Sequence, residues 1–418
     1  AELPLGGYAA VAALLAGALW LAPAAAQLIL QRLPVPRDAV ALIAVQQLRG
    51  ANTQIGISIS AIVVSFSLMA AMLIMIGSFR GSLEDWLRDI LPADAYVRAG
   101  GAGQSGFLDA PTLRAIATLP SVARASAARI QELRLLAGRS PVTLLARDFD
   151  PARPNALPLV SGQPQPPRSA LPPVWISESA VDLYGWSVGS EIALPLGGNV
   201  VRFVVAGIWR DYTRQNGTLL IERARYVAAT GDDRVNDVWL WLGAGRTAAM
   251  LTAELTQALG APGVVDIRNT ASIRDASLAL FDRTFAVTYL LEAVAVLIGL
   301  FGISVGFSSQ VLARRAEFGM LRHIGVTRAQ IAALLGIEGL LAGCIGVAWG
   351  LVTGAAISVV LIRVINRQSF HLSMDLHVPV LPLILVSIAL VLAATATAML
   401  SGRRAMTGQP IAGVREDW

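Results

Sequence analysis

The chain has 418 residues, of which 55% are hydrophobic and 15% charged, with a formal net charge of +5. Soluble domains carry about 25% charged residues, so the composition indicates a membrane protein. All 33 basic residues are arginines that do not cluster with aromatic residues, which excludes the lysine chemistry of P-loops and Schiff bases and argues against nucleic-acid binding.

Five nearly uncharged segments are long enough to cross a bilayer, which takes about 20 helical residues. They are 8–30, 54–78, 285–308, 331–362 and 379–400. Between the second and the third, residues 79–284 have a globular composition in which strand and helix patterns alternate. The sequence therefore predicts an α-helical membrane protein with five transmembrane helices and one large α+β domain.

The N-terminal part of the chain holds the first span, within 1–30, and a connecting segment, 31–53. In the latter, PRDAVALIAVQQLRG (36–50) has the pattern of a short amphipathic helix, with a simple interfacial linker as the alternative. Because the chain starts at an alanine, without a basic leader or a cleavage site, we expect it to be the C-terminal part of a longer protein.

The large domain is expected to have two lobes. A proline-rich stretch from Pro151 to Pro173 predicts an extended connection between them. The run GAGQSG (101–106) matches the spacing of a dinucleotide-binding loop, but no series of βαβ units follows it. We interpret it as a glycine-rich turn, because an isolated match of this kind is often false.

Arginine marks the cytoplasmic side of the predicted spans. Ten arginines lie in the short segments 31–53, 309–330 and 401–418, whereas the short loop on the other side has only Arg363 and Arg367. We therefore expect these three segments in the cytoplasm and the large domain outside.

The segment between the third and fourth spans, 309–330, predicts a short amphipathic helix. Its apolar positions recur at helical spacing: Phe318, Met320, Leu321 and Ile324. Its polar positions are Arg314, Arg315, Glu317 and Arg322. Gly325 then predicts a helix stop, and the spacing of Thr327 and Gln330 predicts a capping box for the next helix. Such a helix either lies on anionic lipid as a topogenic loop or docks onto a cytoplasmic protein.

Small residues within the spans predict close helix packing. The glycines with this spacing are Gly302, Gly306, Gly339, Gly343, Gly346, Gly350 and Gly354. Ser304 has the spacing of a nucleophile elbow, but it falls inside a span, where the required strand-to-helix turn is absent. The acidic residue Glu338 is expected to pair with Arg322 or Arg315.

The sequence shows no metal or cofactor site. Its single cysteine, Cys344, lies in an apolar span, so no disulfide forms within the chain. The three histidines, His323, His371 and His377, are scattered along the sequence. We therefore expect no catalytic residues, no metal and no cofactor.

The run RRAEFGMLRHIGVTRAQIAALLGIEGLLAGCIGVAWG resembles the FtsX-like permease family, the type VII ABC transporter permeases. The basic pattern of that family, R-R-x-E-x-G-x-L-R-x-x-G, is matched in order by Arg314, Arg315, Glu317, Gly319, Leu321, Arg322 and Gly325. The resemblance covers 54–400 and implies that this segment, with Phe318, is a coupling helix seated in a groove of a cytoplasmic ATPase subunit dimer. It also implies porter-like and sabre-like lobes in the large domain.

The extra first span is similar to the larger, ten-span relatives. In those proteins it is a linking span, 36–50 corresponds to an elbow helix, and an N-terminal permease half, or a second permease copy, forms a pseudo-dimer with the unit seen here. The family implies a multi-pass protein of the bacterial inner membrane that contacts lipid, with its large domain in the periplasm near a further periplasmic partner.

The function expected from this resemblance is that of a non-catalytic permease subunit. It would relay the motion of a separate ATPase to the outward domain and so export or extract a lipid-linked or amphipathic substrate. One alternative is a membrane-anchored regulator of a cell-wall hydrolase, although such relatives have a small outward domain. A membrane-bound enzyme is the other alternative, but the sequence shows no convincing catalytic set.

Overall fold

The computed structural model describes residues 4–34, 36–50, 52–100, 106–136, 138–148, 157–163, 171–259 and 265–405. The chain forms two compact units. The first, here called the membrane unit, contains Ala1–Phe79, Arg283–Ile365 and Met374–Trp418. The second, the sheet unit, contains Arg80–Asp282 and Asn366–Ser373.

The α-helices of the described residues, in chain order, are α1 (Leu5–Arg32), α2 (Ala39–Gly50), α3 (Asn52–Ile90), α4 (Ala110–Ala117), α5 (Glu178–Tyr184), α6 (Arg223–Thr230), α7 (Ala248–Leu259), α8 (Thr270–Ala313), α9 (Arg315–His323), α10 (Arg328–Val360), α11 (Asn366–Phe370) and α12 (Val380–Ala405). A π-helical turn, Leu361–Ile365, joins α10 to α11. The strands are β1 (Ala95–Ala99), β2 (Val122–Leu133), β3 (Val142–Arg147), β4 (Leu159–Gly162), β5 (Pro173–Ser177), β6 (Glu191–Leu196), β7 (Asn199–Trp209), β8 (Thr218–Glu222), β9 (Asp237–Leu242) and β10 (Val265–Asn269).

Among the described residues, five helices are long and apolar enough to cross a membrane. They are Leu5–Arg32, Ile59–Ile90, Thr270–Ala313, Arg328–Phe370 and Val380–Arg403. Each contains or overlaps one of the five predicted spans. Together with the mixed α/β sheet unit they confirm the predicted fold class.

Two of these helices extend well past the apolar runs that predicted them. Helix α3 continues to Ile90, and α8 begins at Thr270. In the polar part of α3, Arg88 forms ion pairs with Glu84, at 2.6 Å, and with Asp85, at 3.2 Å. Pairs at this spacing stabilise a helix in water, so the apolar run marks where a membrane would end and not where the helix ends.

The core of the membrane unit forms around α10. Its partners in a single apolar cluster include Ile62 and Phe66 of α3 and Ala394 and Ala398 of α12. The indole N–H of Trp349 on α10 also donates to the carbonyl oxygen of Ala18 on α1, at 3.0 Å. The spans of α3 and α10 are therefore the two most enclosed, with 56% and 50% of their residues buried.

Helix α2 holds the C-terminal end of α1 through an arginine. The guanidinium of Arg49 donates to the carbonyl oxygens of Leu30, at 2.9 and 3.1 Å, and of Leu33, at 2.9 Å. The last carbonyls of a helix have no partner within the helix, and a basic side chain satisfies them. The segment proposed as an elbow helix is therefore a helix that caps its neighbour.

The described residues of the sheet unit form one continuous sheet of ten strands. Their order is β10-β1-β9-β2-β3-β8-β5-β7-β4, and β6 pairs with β7. The β3–β8 and β5–β7 pairs are parallel and the other pairs antiparallel. Three apolar clusters of described residues pack on it, one around Val97 and Leu240, one around Leu144 and Phe203, and one around Trp175 and Trp209. These clusters share one sheet, and the division of the domain into two lobes stays a prediction.

Part of the proline-rich stretch is a strand and not an extended connection. Strand β4 pairs antiparallel with β7, and Leu159 lies opposite Trp209. Residues 151–156 and 164–170 of this stretch lie outside the described residues, as do residues 101–105 of the glycine-rich run GAGQSG.

The segment Asn366–Ser373 belongs to the sheet unit, although the residues before and after it belong to the membrane unit. The N–H of Ser373 donates to Glu178 at 3.1 Å, and the hydroxyl of Tyr212 donates to the carbonyl oxygen of Ser373 at 2.8 Å. His371 also lies 3.2 Å from the carboxylate of Asp182. Nothing in the hydropathy pattern predicted this attachment, because it depends on residues almost 200 positions away.

Candidate functional site

The basic segment between the third and fourth spans has the predicted helix, stop and cap. Helix α9 (Arg315–His323) is followed by Gly325, whose φ of 99° favours glycine. The next helix starts with the predicted capping box. The N–H of Gln330 donates to the Thr327 hydroxyl at 3.2 Å, and the Gln330 side chain accepts from the Thr327 N–H at 2.9 Å. The glycine after α9 and the capping box before α10 therefore determine where the two helices end and begin.

The largest apolar side chain of α9 faces the protein itself. Phe318 is 3% exposed and belongs to a cluster with Ala44 of α2, Val311 of α8 and Ile331 of α10. Leu321 packs against the same cluster. Phe318 is therefore packed within this chain, whereas Leu321 is only partly buried, and a role for these two residues in a groove of another protein stays a prediction.

The opposite face of α9 exposes two other apolar residues. Met320 is 67% exposed and Ile324 is 74% exposed. They lie four positions apart and so share one helix face. Glu317 and His323 are exposed as well, whereas Gly319 has no neighbour within 4 Å of an added Cβ. Gly319 is therefore not required for packing within this chain.

An arginine at the start of α9 joins it to α10. Nη1 of Arg314 donates to the two carboxylate oxygens of Glu338, at 3.0 and 3.2 Å, and Nε donates to Glu317, at 3.1 Å. Glu338 was expected to pair with Arg322 or Arg315, and among the side chains that the structure describes its partner is Arg314. The side chain of Arg315 lies outside the described part of the chain. Successive residues of an α-helix differ in direction by about 100° around the helix axis. Sequence spacing alone therefore did not identify which arginine faces Glu338.

Three of the predicted packing glycines face α12 or the start of α3. A Cβ added at Gly339 would lie 2.7 Å from Cβ of Ala398, and one at Gly343 would lie 3.3 Å from Cβ of Ala394. At Gly346 it would meet Ile62 at 2.8 Å. These distances are shorter than ordinary contacts, so the helices approach closely because these residues have no side chain.

Of the remaining predicted glycines, Gly350 and Gly354 lie at close approaches and Gly302 does not, while Gly306 stays a prediction. An added Cβ would lie 3.0 Å from the Phe66 ring at Gly350 and 2.7 Å from the Ser67 carbonyl oxygen at Gly354. At Gly302 it would lie 3.7 Å from Ala61, which is an ordinary contact, whereas at Gly299 it would lie 2.6 Å from Ser65. The close approach on α8 is thus at Gly299, which the glycine spacing used for prediction did not include.

Other patterns considered for chemistry lie in structural settings. Ser304 is within the continuous helix α8 and not at a strand-to-helix turn. Within the described ranges no group of three histidine, cysteine or acidic side chains is placed to hold a metal ion. His323 contacts the carbonyl oxygen of Gly319, at 2.9 Å, and His371 contacts Asp182.

Two family models match most of the chain. The MacB-like periplasmic core domain matches residues 55–258, and the FtsX-like permease C-terminal domain matches residues 289–410. The first match contains the span of α3 and most of the sheet unit. The second contains α9, α10 and α12, and with them the site built above.

The chain is also similar to known proteins. An uncharacterized ABC transporter permease protein of Mycobacterium tuberculosis is 31% identical over 342 residues, which cover 77% of this chain and 38% of that protein. The chain thus spans well under half the length of this curated relative. The periplasmic region of MacB from Actinobacillus actinomycetemcomitans is 14% identical and covers 46% of this chain and 94% of its own, with a TM-score of 0.34. The extracellular domain of the noncanonic ABC-type transporter YknZ is 12% identical over 42% of this chain and 100% of its own, with a TM-score of 0.30.

Proposed function

Since the FtsX-like permease C-terminal and MacB-like periplasmic core models together match most of this chain, we propose that it is an ABC transporter permease of the MacB/FtsX type. We further propose that α9 is the element through which a separate ATPase drives it. The observation that supports this proposal most is the exposed pair Met320 and Ile324 on a helix that is otherwise fixed to the permease. ATP hydrolysis would take place on the partner.

A coupling element has to move together with the spans. Helix α9 meets this requirement, because Phe318 is buried among residues of α2, α8 and α10. The Arg314–Glu338 ion pair adds a polar attachment to α10. A buried pair of this kind holds its geometry because separating the charges leaves each one unpaired.

The exposed face of α9 is suited to a shallow protein groove. Met320 and Ile324 supply apolar anchors, and Arg322 and Arg328 lie nearby in sequence to meet acidic groups at the rim. Interfaces typically combine a few buried anchors with a polar rim. We propose that a cytoplasmic ATPase dimer provides the groove.

Two covalent routes lead from this segment to the sheet unit. Helix α8 ends at Ala313, next to α9, and runs without interruption from Thr270. Helix α10 continues through the π-helical turn into α11, whose segment Asn366–Ser373 belongs to the sheet unit. We propose that displacement of α9 reaches the sheet unit along these helices, and that the sheet unit is periplasmic.

The remaining partners are part of the same proposal. A second permease unit, either an N-terminal half or a second copy, would complete a pseudo-dimer in the inner membrane, and a further periplasmic protein would work with the sheet unit. The substrate would be lipid-linked or amphipathic, and the work would be its export or extraction on the outer side. The greater length of the M. tuberculosis relative supports a larger assembly.

The test is co-purification of the ATPase with a Met320→Ser/Ile324→Ser variant, together with membrane-stimulated ATP hydrolysis. Leu312→Ser is the matched control, since Leu312 is 65% exposed and lies just before α9. We expect the double variant to lose the ATPase and the control to keep it. Full ATPase binding by the double variant would mean that α9 is a loop on the lipid surface.

A further inference from the structure

A cavity of about 270 Å³ lies within the sheet unit. It is lined by the C-terminal end of α3, the N-terminal end of α8 and the strands β1, β2, β3, β9 and β10. Its volume is close to the lower end of the roughly 300–1,000 Å³ that is typical of small-molecule sites. The family assignment and the coupling segment leave this cavity unexplained.

The strand register aligns a row of charged residues along the floor of the cavity. Across the five strands β10, β1, β9, β2 and β3, the residues opposite one another are Asp266, Arg98, Asp237, Ala128 and Arg147. All five line the cavity. Because Ala128 has the smallest side chain of the row, it leaves a gap between Asp237 and Arg147, and the cavity lies over this gap.

A second row, two residues along each strand, adds aromatic groups on the same face. Arg268, Tyr96 and Trp239 lie opposite one another on β10, β1 and β9. Successive side chains of a strand alternate between faces, so both rows point to the same side of the sheet. Arg98 and Arg268 are therefore diagonal neighbours, within reach of a common ligand group.

The cavity carries more positive than negative charge. Four arginines line it, Arg98, Arg147, Arg214 and Arg268, against two carboxylates, Asp237 and Asp266. Arg268 pairs with Asp266 at 2.8 Å, and Arg214 pairs with Asp211 at 3.3 Å. The contact between Arg98 and Asp237 is long, at 3.6 Å, whereas a charge-assisted hydrogen bond is about 2.8 Å. The Arg98 side chain is 64% exposed and has five N–H donors, so it can also bind an oxyanion.

The other part of the lining is apolar and includes a donor without a partner. Trp86, Leu87 and Trp209 contribute to it. Trp209 is 1% exposed, and its indole N–H has no hydrogen-bond acceptor among the described residues. A buried donor normally has a partner, because leaving it unsatisfied is costly.

We propose that this cavity binds an amphipathic oxyanion, a molecule with a phosphate or carboxylate head and an apolar body. The head contacts Arg98 and Arg268 at the exposed end of the two rows. The body lies over Ala128, against Trp86 and Trp209. This inference concerns the sheet unit and does not depend on the coupling role of α9.

The test is calorimetric titration of the full chain in lipid nanodiscs with 1-naphthyl phosphate, which combines an apolar body with an anionic head. 1-Naphthol and inorganic phosphate supply the body and the head separately. Arg98→Gln removes a head contact, and Ala128→Leu fills the gap. Arg225→Gln is the matched control, since Arg225 is also 64% exposed, lies 3.8 Å from Glu222 and does not line the cavity. Asp237→Asn removes a competing negative charge.

We expect saturable binding of 1-naphthyl phosphate and at least about tenfold weaker binding of each half-probe. Arg98→Gln should weaken binding about tenfold, the typical effect of losing one charge-assisted contact. Ala128→Leu should abolish binding, Asp237→Asn should strengthen it, and Arg225→Gln should leave it unchanged. Absence of saturable binding would overturn the proposal. So would equal binding of either half-probe, or an equal loss in Arg98→Gln and Arg225→Gln.

Discussion

Arg314 and Glu338 form a buried ion pair that joins the start of α9 to the interior of α10. Glu338 is 1% exposed, and the Arg314 side chain is 12% exposed. The same guanidinium lies 5.1 Å from the ring of Phe318 and donates to Glu317. A carboxylate within so apolar a helix is tolerated when it is paired. The ion pair with Arg314 therefore stabilises Glu338 at this buried position.

Removing one partner of this pair should destabilise the protein strongly. We expect Arg314→Leu to lower the free energy of unfolding by about 3–5 kcal/mol, because Glu338 is then buried and unpaired. Glu338→Leu should lower it less, because Arg314 keeps its ion pair with Glu317. The double variant should recover most of that loss. Thermal unfolding in nanodiscs measures these losses of stability. Arg88→Leu is the control, because the Arg88 side chain is 55% exposed and its ion pair should contribute at most about 1 kcal/mol. Single variants as stable as the unchanged protein would contradict this interpretation.

Close packing of α10 against α3 should make Gly354 intolerant of a side chain. A Cβ there would lie 2.7 Å from the carbonyl oxygen of Ser67. We expect Gly354→Ala to cost about 1–3 kcal/mol, as overpacking of a core usually does. Gly17→Ala in α1, where an added Cβ meets nothing within 4 Å, should not destabilise. Equal melting temperatures for the two variants would show that the helices can separate at no cost.

Asp237 should make the stability of the sheet unit depend on pH. Burial raises the pKa of this carboxyl above its ordinary value of 3.8, against the opposing effect of Arg98. The folded state then binds the proton more tightly than the unfolded state, so stability falls as the pH rises from about 4 through the folded-state pKa. Asp237→Asn should remove this decline and be the more stable protein at neutral pH. Tryptophan-monitored unfolding between pH 4 and pH 8 measures it, and a parallel decline in both proteins would refute it.

The arginine distribution predicts that the sheet unit and α9 lie on opposite sides of the membrane. In a Cys344→Ala background, Arg225→Cys should react with an impermeant thiol reagent. The reagent is added to cells whose outer membrane has been permeabilised and whose inner membrane is intact. Ala316→Cys, which is also at an exposed position, should react only after lysis. The reverse labelling pattern would invert the proposed topology.

Local and periodic features of the chain were predictable from the residues. The apolar runs identify the five spans, and the spacing of Thr327 and Gln330 identifies the capping box, because both depend on interactions within a few turns of helix. The resemblance to the FtsX-like permeases is confirmed by the two family matches.

What required the structure depends on contacts distant in sequence. The pairing of β1 with β9 and β10 joins residues more than 130 positions apart, and no local pattern encodes it. The choice of Arg314 as the partner of Glu338 depends on how two helices are rotated, and the same holds for the inward direction of Phe318. An amphipathic pattern shows that a helix has an apolar face, but it does not show whether that face meets the same chain or another.

The central claim, that the exposed face of α9 contacts an ATPase, is tested most directly by site-specific photocrosslinking in membranes that contain the complete transporter. A photoreactive residue is placed at Met320 or, as the control, at Leu312, which are 67% and 65% exposed. We predict an adduct with the ATPase from position 320 and lipid adducts alone from position 312. Lipid adducts alone from both positions would contradict the account.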